Sequence, residues 1–185
     1  MKVIIVGGVA GGAGTAARLR RNDESAEIIM LERGNYISYA NCGLPYYVGG
    51  VITDKGALQV QTPERFHARF RVDVRVNSEV VAVDTGGKKV TVRHGEETYQ
   101  ENYDKLVLSP GAGPVRPPIP GMEENHVFTL RNIPDTYAIH DYVEKEKPST
   151  CAVIGAGFIG LEMAENVAGR GIRVSVVEGA SHVMP

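Results

Sequence analysis

The stretch SYANCGLPYY, residues 38–47, sets Cys42 behind Ser38 and Asn41 and ahead of Gly43 and Pro45. The thiolate is the nucleophilic form of cysteine. Pro45 suits a first helical turn, which would place Cys42 near a helix amino-terminus whose partial positive charge favours that form. The chain has two cysteines, and the other, Cys151, opens an apolar run far downstream that reads as a buried strand. A lone thiol has no neighbour with which to close an internal disulfide. Its oxidised state is then a sulfenic acid or a mixed disulfide with a small thiol. The plainer alternative, a buried structural cysteine, suits Cys151 better than Cys42.

A second kind of chemistry lies in the glycines. Gly155-Ala156-Gly157-Phe158-Ile159-Gly160 is a complete G-x-G-x-x-G between an expected strand and an expected helix, with Glu178 ending the next strand. The first glycine permits the tight turn, the second lets the backbone approach a diphosphate, and the third lets helix and strand pack. The helix amino-terminus then faces the negative charge. Glu178 can accept hydrogen bonds from ribose hydroxyls and would repel a 2′-phosphate, which leans the site toward NADH over NADPH. An amino-terminal copy reads Gly7-Gly8-Val9-Ala10-Gly11-Gly12, with Glu32 closing its second strand and Val9 standing where the second glycine belongs. Alone, this copy is equally readable as a glycine turn that only packs a helix on a sheet. Two copies with matching acidic strand ends point to two dinucleotides and to electron transfer between them, for which FAD and a nicotinamide cofactor are the natural pair.

The elements around these residues follow from pattern. KVIIV (2–6), AGTAARLRR (13–21) and AEIIMLE (26–32) read as strand, helix, strand, a βαβ unit with a parallel sheet. RVDVRV (71–76), SEVVAVD (78–84), KVTVRHG (89–95) and ETYQENYDKLVLS (97–109) look like a meander attached to that unit, with Thr85-Gly86-Gly87 as one of its turns. SPGAGPVRPPIPGM (109–122) is too rich in proline and glycine to be an element interior, and IPDTYAIHDYVEKEK (133–147) fits a helix with Pro134 at its start. The opening pattern then returns over 151–179. The expected fold class is therefore α/β: a Rossmann-like dinucleotide-binding domain with a β-meander over residues 1–112, a linker and connecting helix over 113–148, and the start of a second Rossmann-like domain over 149–185. A dinucleotide domain normally needs more strands than 149–185 supplies, so an amino-terminal portion of a longer protein is expected.

Composition excludes little but points one way. A net charge of −2 over 185 residues gives no global reason to expect nucleic acid or an anionic membrane as partner. No apolar run approaches the roughly 20 residues of a membrane span, and Met1-Lys2 leads straight into VIIVGG, so the cytoplasm is expected. None of the five histidines, His67 among them, has a metal-ligand partner at useful spacing, so no metal is expected.

Together these motifs resemble the pyridine nucleotide-disulfide oxidoreductases, flavoproteins whose FAD domain is interrupted by an inserted NAD(P)H domain, over essentially the whole chain. LVLSPGAGPVRPPIPG (106–121) resembles the family's second FAD stretch. No cysteine follows Cys42 at the C-x-x-x-x-C spacing, so the match is to the single-cysteine branch, and NCGLPYY is most similar to the coenzyme A disulfide reductases, including rhodanese-fused ones acting on CoA persulfides. NADH oxidases and peroxidases, which cycle a sulfenic acid, share the branch, and a redox-sensing flavoprotein is the alternative from outside the enzymes. The resemblance implies Cys42 as redox centre carrying a Cys-S-S-CoA mixed disulfide. It implies FAD contacts from Gly7, Gly8, Ala10, Gly11, Gly12, Glu32, Arg33, Asn41, Val80, Ser109, Gly111 and Arg131, and NADH or NADPH contacts from Gly155, Gly157, Phe158, Ile159, Gly160 and Glu178. Coenzyme A would meet Ser38 and Asn41, and also the face of the first helix on which Gly14, Arg18 and Arg21 recur at i, i+4 and i+7, where guanidinium groups suit phosphates. A solvated basic helix end is the bland reading of that face. A homodimer is the family's expected assembly.

Overall fold

The computed structural model describes residues 1–184, packed as two units: residues 1–39 with 59–112, and residues 40–58 with 113 onward. In the first, β1 (Lys2–Val6), α1 (Ala10–Asn22) and β2 (Glu27–Leu31) form the expected βαβ unit, with β1 and β2 parallel from Lys2 opposite Glu27 to Val6 opposite Leu31. The sheet is completed by β3 (Asp73–Arg75) beside β2 and β7 (Lys105–Leu108) beside β1, all parallel, in the order β3-β2-β1-β7. A separate antiparallel sheet is made by β4 (Ser78–Asp84), β5 (Lys89–His94) and β6 (Glu97–Asn102).

This corrects the meander in two places. RVDVRV does not belong to it: Val72 is fully buried with Phe66 and Met30 on the helix side of the parallel sheet, and β3 takes its edge position there. ETYQENYDKLVLS is two strands. Tyr103 N still donates to Lys88 O in the meander, but Asp104 N donates to Lys2 O, so the chain changes sheets between neighbouring residues and β7 runs alongside β1. Local pattern shows a strand and says nothing of its partner.

The run VII at residues 3–5 needs both faces covered, as a parallel strand does. Val3 and Ile5 lie against Ala13 and Ala16 of α1 and Phe66 of α3 (Pro63–Phe70). Ile4 lies on the other face, against Val90 and Val92 of the meander. Each fully buried aliphatic chain contributes about 1.5–3 kcal/mol. The meander is also held by charge: Glu101 on β6 accepts from Lys2 Nζ at 2.8 Å and Arg75 Nη1 at 2.7 Å. Burial works to raise the Glu101 carboxyl, and these two hydrogen bonds outweigh it, leaving it below the usual carboxylate range.

Arg20 is the unforeseen residue of this unit. It lies on the buried side of α1, 8% exposed, with no carboxylate partner among the described residues. Its guanidinium donates to the carbonyls of Phe70 (2.8 Å) and Arg71 (2.9 Å) at the end of α3, and of Asp23 (3.2 Å) and Glu24 (2.7 Å) at the end of α1. Helix ends leave carbonyls unpaired and carry partial negative charge, so a single cation satisfies two helices at once. The spacing Ala13, Ala16, Arg20 follows the buried stripe and could have revealed it.

In the second unit, β8 (Thr150–Ile154) and β9 (Arg173–Val177) are parallel and flank α5 (Phe158–Ala168). α4 (Ile133–Glu146) begins at a capping box in which Asn132 accepts from Asp135 N while Asp135 accepts from the Asn132 N–H. Residues 40–58 pack here too. A 3-10 turn, Asn41–Gly43, leads into the short helix α2 (Leu44–Val48), whose Val48 is buried with Ile139, Val143, Val167 and Ile172. No helix among the described residues is long and apolar enough to cross a membrane.

Replacing Arg20 with methionine keeps the stem and leaves four partly buried carbonyls without their donor. We expect a loss of about 3 kcal/mol in chemical denaturation of the full-length protein. A loss below about 0.5 kcal/mol would mean water serves those carbonyls equally well.

Candidate functional site

The two glycine turns are built alike. Gly7 and Gly155 leave their strands at φ +97° and +99°, a conformation other residues rarely adopt. Five residues later, a Cβ on Gly12 would lie 1.7 Å from Gly7 O, and one on Gly160 would lie 2.0 Å from Gly155 O. Only glycine lets helix and strand approach this closely. In each turn the second strand returns a carboxylate to the backbone: Glu32 Oε2 accepts from Gly8 N at 2.7 Å, and Glu178 Oε2 accepts from Ala156 N at 2.7 Å. The other oxygens accept from Gly34 N at 2.7 Å and Ala180 N at 2.8 Å. The Ala156 and Ala180 N–H groups hold the Glu178 carboxyl below the usual carboxylate range. A carboxylate has about four acceptor positions, so each retains capacity for a ribose hydroxyl.

Val9 does not spoil the first copy. It is the N-cap of α1, at φ −91°, where a side chain is tolerated. Gly157 is the matching N-cap of α5, at φ −75°, with nothing within 4 Å of a Cβ placed there. Neither α1 nor α5 has a side-chain cap or an acidic residue in its first turn. By contrast α3 is capped by Thr62 and α4 by Asn132. The amino-terminal N–H groups of the two glycine-turn helices therefore point outward without a protein acceptor from a cap, which suits the diphosphate of a dinucleotide.

Around the first turn lies a cleft of about 100 Å³, lined by Gly7, Glu32, Arg33, Ser78, Val80 and Pro110 among others. It gathers Gly7, Glu32, Arg33 and Val80 of the expected flavin contacts. Val80 sits on β4 opposite Val92, at a break in register before Ala82. Ser109 N donates to Val6 O at 2.8 Å and its own carbonyl crowds Gly7, so this residue closes the turn from β7. Gly11 lies over the Ser109 side chain, Ala10 is the exposed first residue of α1, and Gly111 has φ +72°. Ser38 is held at φ +44° by Ser38 N donating to Gly8 O at 2.9 Å.

On the outer face of α1 an open groove of about 510 Å³ runs over Gly11, Gly14, Thr15, Arg18, Leu19 and Asn22. Gly14 and Arg18 of the expected coenzyme A residues share it. Arg21 is exposed but does not line it.

In the second unit, Cys42 is exposed in the Asn41–Gly43 turn, directly before α2, with Pro45 in that helix's first turn as expected. Helix α2 has only five residues, so its dipole is short. The Oδ1 of Asn41 is buried and has no hydrogen-bond partner among the described residues, an acceptor aimed at nothing in the protein. Cys151 on β8 is half-buried beside the α4–α5 core, and burial pushes its thiol up. Both cysteines are free thiols. Arg131 N donates to Asp135 Oδ2 at 2.8 Å, just before α4. Phe158 and Ile159 are exposed on the first turn of α5. His67 on α3 pairs with Val72 O at 2.9 Å.

Known proteins share this arrangement. A coenzyme A disulfide reductase of Staphylococcus haemolyticus is 38% identical over 184 residues, 98% of this chain and 41% of that protein. The crystal structure of reduced Bacillus anthracis CoADR-RHD is 58% identical, with a TM-score of 0.97 over all of this chain and 34% of its own. A NAD-dependent persulfide reductase from A. fulgidus is 36% identical, with a TM-score of 0.96 over all of this chain and 35% of its own. The chain thus spans well under half the length of these relatives. The family model for pyridine nucleotide-disulphide oxidoreductases matches residues 1–185, and this chain belongs to that family.

Proposed function

We propose that this chain serves an FAD-dependent NAD(P)H oxidoreductase that reduces CoA disulfide or a CoA persulfide through Cys42. The observation that carries the reading is the pair of uncapped glycine turns with their matched carboxylates, joined in one chain to a single exposed thiol. The relatives named above, a coenzyme A disulfide reductase and a persulfide reductase, support the same chemistry.

The residues present fit both dinucleotides. Gly7, Gly8, Ala10, Gly11 and Gly12 would receive the FAD diphosphate at α1, with Glu32 on the ribose, Arg33 and Val80 along the cleft, and Ser109 and Gly111 closing it. Gly155, Gly157, Phe158, Ile159 and Gly160 would receive the nicotinamide cofactor at α5. Glu178, held anionic by its two backbone donors, would accept from both ribose hydroxyls and repel a 2′-phosphate, so NADH is favoured over NADPH. When bound, FAD supplies two electrons taken as hydride from the nicotinamide.

The chemistry assigned to the protein is thiol exchange. The Cys42 thiolate attacks one sulfur of CoA disulfide, the S–S bond breaks, and one CoA leaves as its thiolate, while the other stays on as Cys42-S-S-CoA. Two electrons then cleave that mixed disulfide, returning the Cys42 thiolate and releasing the second CoA, which takes up a proton. Cys42 and Cys151 are both free thiols, and Cys151 lies half-buried in a strand. Asn41 Oδ1 can accept a hydrogen bond from substrate beside the thiol. Arg18, in the groove over Gly14, would pair with phosphates of CoA, and Arg21, outside that groove, would add positive charge to the same helix.

Two outcomes test the reading. In the full-length protein, Cys42→Ser should keep its flavin absorbance and lose CoA disulfide reduction to background, because serine has no comparable redox chemistry. Turnover surviving at the parent rate would move the redox centre elsewhere. Arg18→Ala should raise KM for CoA disulfide about tenfold or more, the scale of one charge-assisted contact, and spare persulfides that lack the nucleotide. An unaltered KM would leave Arg18 as part of a solvated helix end.

A further inference from the structure

The segment that carries Cys42 is gripped at its far end. Helix α2 is little more than one turn, too short to hold its conformation alone. Its last carbonyl, Val48 O, accepts from Nη1 of Arg170 at 3.0 Å. The Nη2 of the same guanidinium pairs with Glu144 of α4. Arg170 follows the end of α5, and its side chain is 19% exposed. A cation on the carboxyl end of a short helix is favourable, and the bond is charge-assisted. The next residue, Gly49, lies so close to the buried Asn166 of α5 that a Cβ would fall 2.4 Å from Asn166 Oδ1. Asn166 is itself fixed by Nδ2 donating to Glu162 O at 2.8 Å. Between these anchors Tyr47 is 3% exposed, its ring 5.4 Å from that of Tyr137 and 4.9 Å from that of His140 on α4.

Van der Waals packing of Tyr47 and Val48 would suffice to bury α2. Packing alone leaves a short helix free to rotate or fray, which would carry the thiol with it, since the Asn41–Gly43 turn feeds straight into Leu44. Backbone bonds from Ala40 N to Leu58 O and from Val51 N to Tyr46 O tie the flanks of the segment, and the guanidinium, one arm on Val48 O and the other on Glu144, restrains the end of α2 itself.

We infer that Arg170, braced by Glu144, is a positioning residue for Cys42: it fixes the carboxyl end of α2 and, through that single turn, the place where the thiol stands. This rests on the reading of Cys42 as the redox centre and adds to it a residue distant in sequence from the thiol. Asn166 makes the grip specific, because only glycine at position 49 lets α2 seat against it.

The test uses the full-length protein with FAD bound and three variants, Arg170→Met, Arg170→Lys and Glu144→Gln. The readouts are kcat and KM for CoA disulfide, the pH profile of Cys42 alkylation by iodoacetamide, and NADH-driven flavin reduction. A misplaced reacting group loses rate more than affinity, so Arg170→Met should lower kcat about tenfold with KM within about twofold. Its alkylation profile should shift while flavin reduction persists. Arg170→Lys should recover part of the loss. Glu144 is about half exposed, so Glu144→Gln loosens Arg170 without opening the core and should fall between parent and Arg170→Met even if the latter folds poorly. Parent kcat and a parent alkylation profile in Glu144→Gln and Arg170→Met would overturn the inference. So would loss of flavin reduction in step with kcat, which would make Arg170 a residue of the fold alone. Turnover in Cys42→Ser would instead defeat the redox reading, and the alkylation profile would still report on Arg170.

Discussion

The approach of a helix to the strand before it, closer than any side chain allows, is the constraint on which both glycine turns depend. Gly12 over Gly7 O and Gly160 over Gly155 O are the same contact made twice. Once it is made, the first residues of α1 and α5 stand at the carboxyl edge of their strands with N–H groups that no side chain caps. The carboxylates of Glu32 and Glu178 then tie the turn to the next strand, and so set the acidic group beside the place where a diphosphate would lie. The shape of each turn and the place of its carboxylate thus come from one steric event and one hydrogen bond. Helices α3 and α4 differ: each has a side chain, Thr62 or Asn132, capping an N–H of its first turn.

The thiol segment is built on a different principle. Nothing in LPYYV is periodic enough to make a helix that stands alone; α4, α5 and the residues just after α5 supply the apolar neighbours of α2 and, from Arg170, its terminal hydrogen bond. A reactive group on a loop keeps solvent access, while the elements below it keep its position. Cys42 has that arrangement, exposed above a buried Leu44, Tyr47 and Val48.

Much of this is legible in the sequence. The two βαβ units follow from short apolar runs broken by glycine, and the acidic strand ends follow from spacing. Val9 looked like a defect because the motif is defined by residue type. Its position is an N-cap with negative φ, which a β-branched residue can occupy. What was not legible depends on partners far away in sequence. β3 and β7 look like meander strands until their neighbours are known. Arg20 looks like one more arginine in RLRR, although four carbonyls from two helix ends surround it. The grip of Arg170 on Val48 spans 122 positions and leaves no local trace.

In the proposed reaction one thiol carries the substrate during reduction. Intact-protein and peptide mass spectrometry of the full-length enzyme, exposed to CoA disulfide without NADH, tests it directly. The account predicts one CoA per chain, attached at Cys42 and released when NADH is added. An unmodified Cys42, or an adduct confined to Cys151, would contradict it.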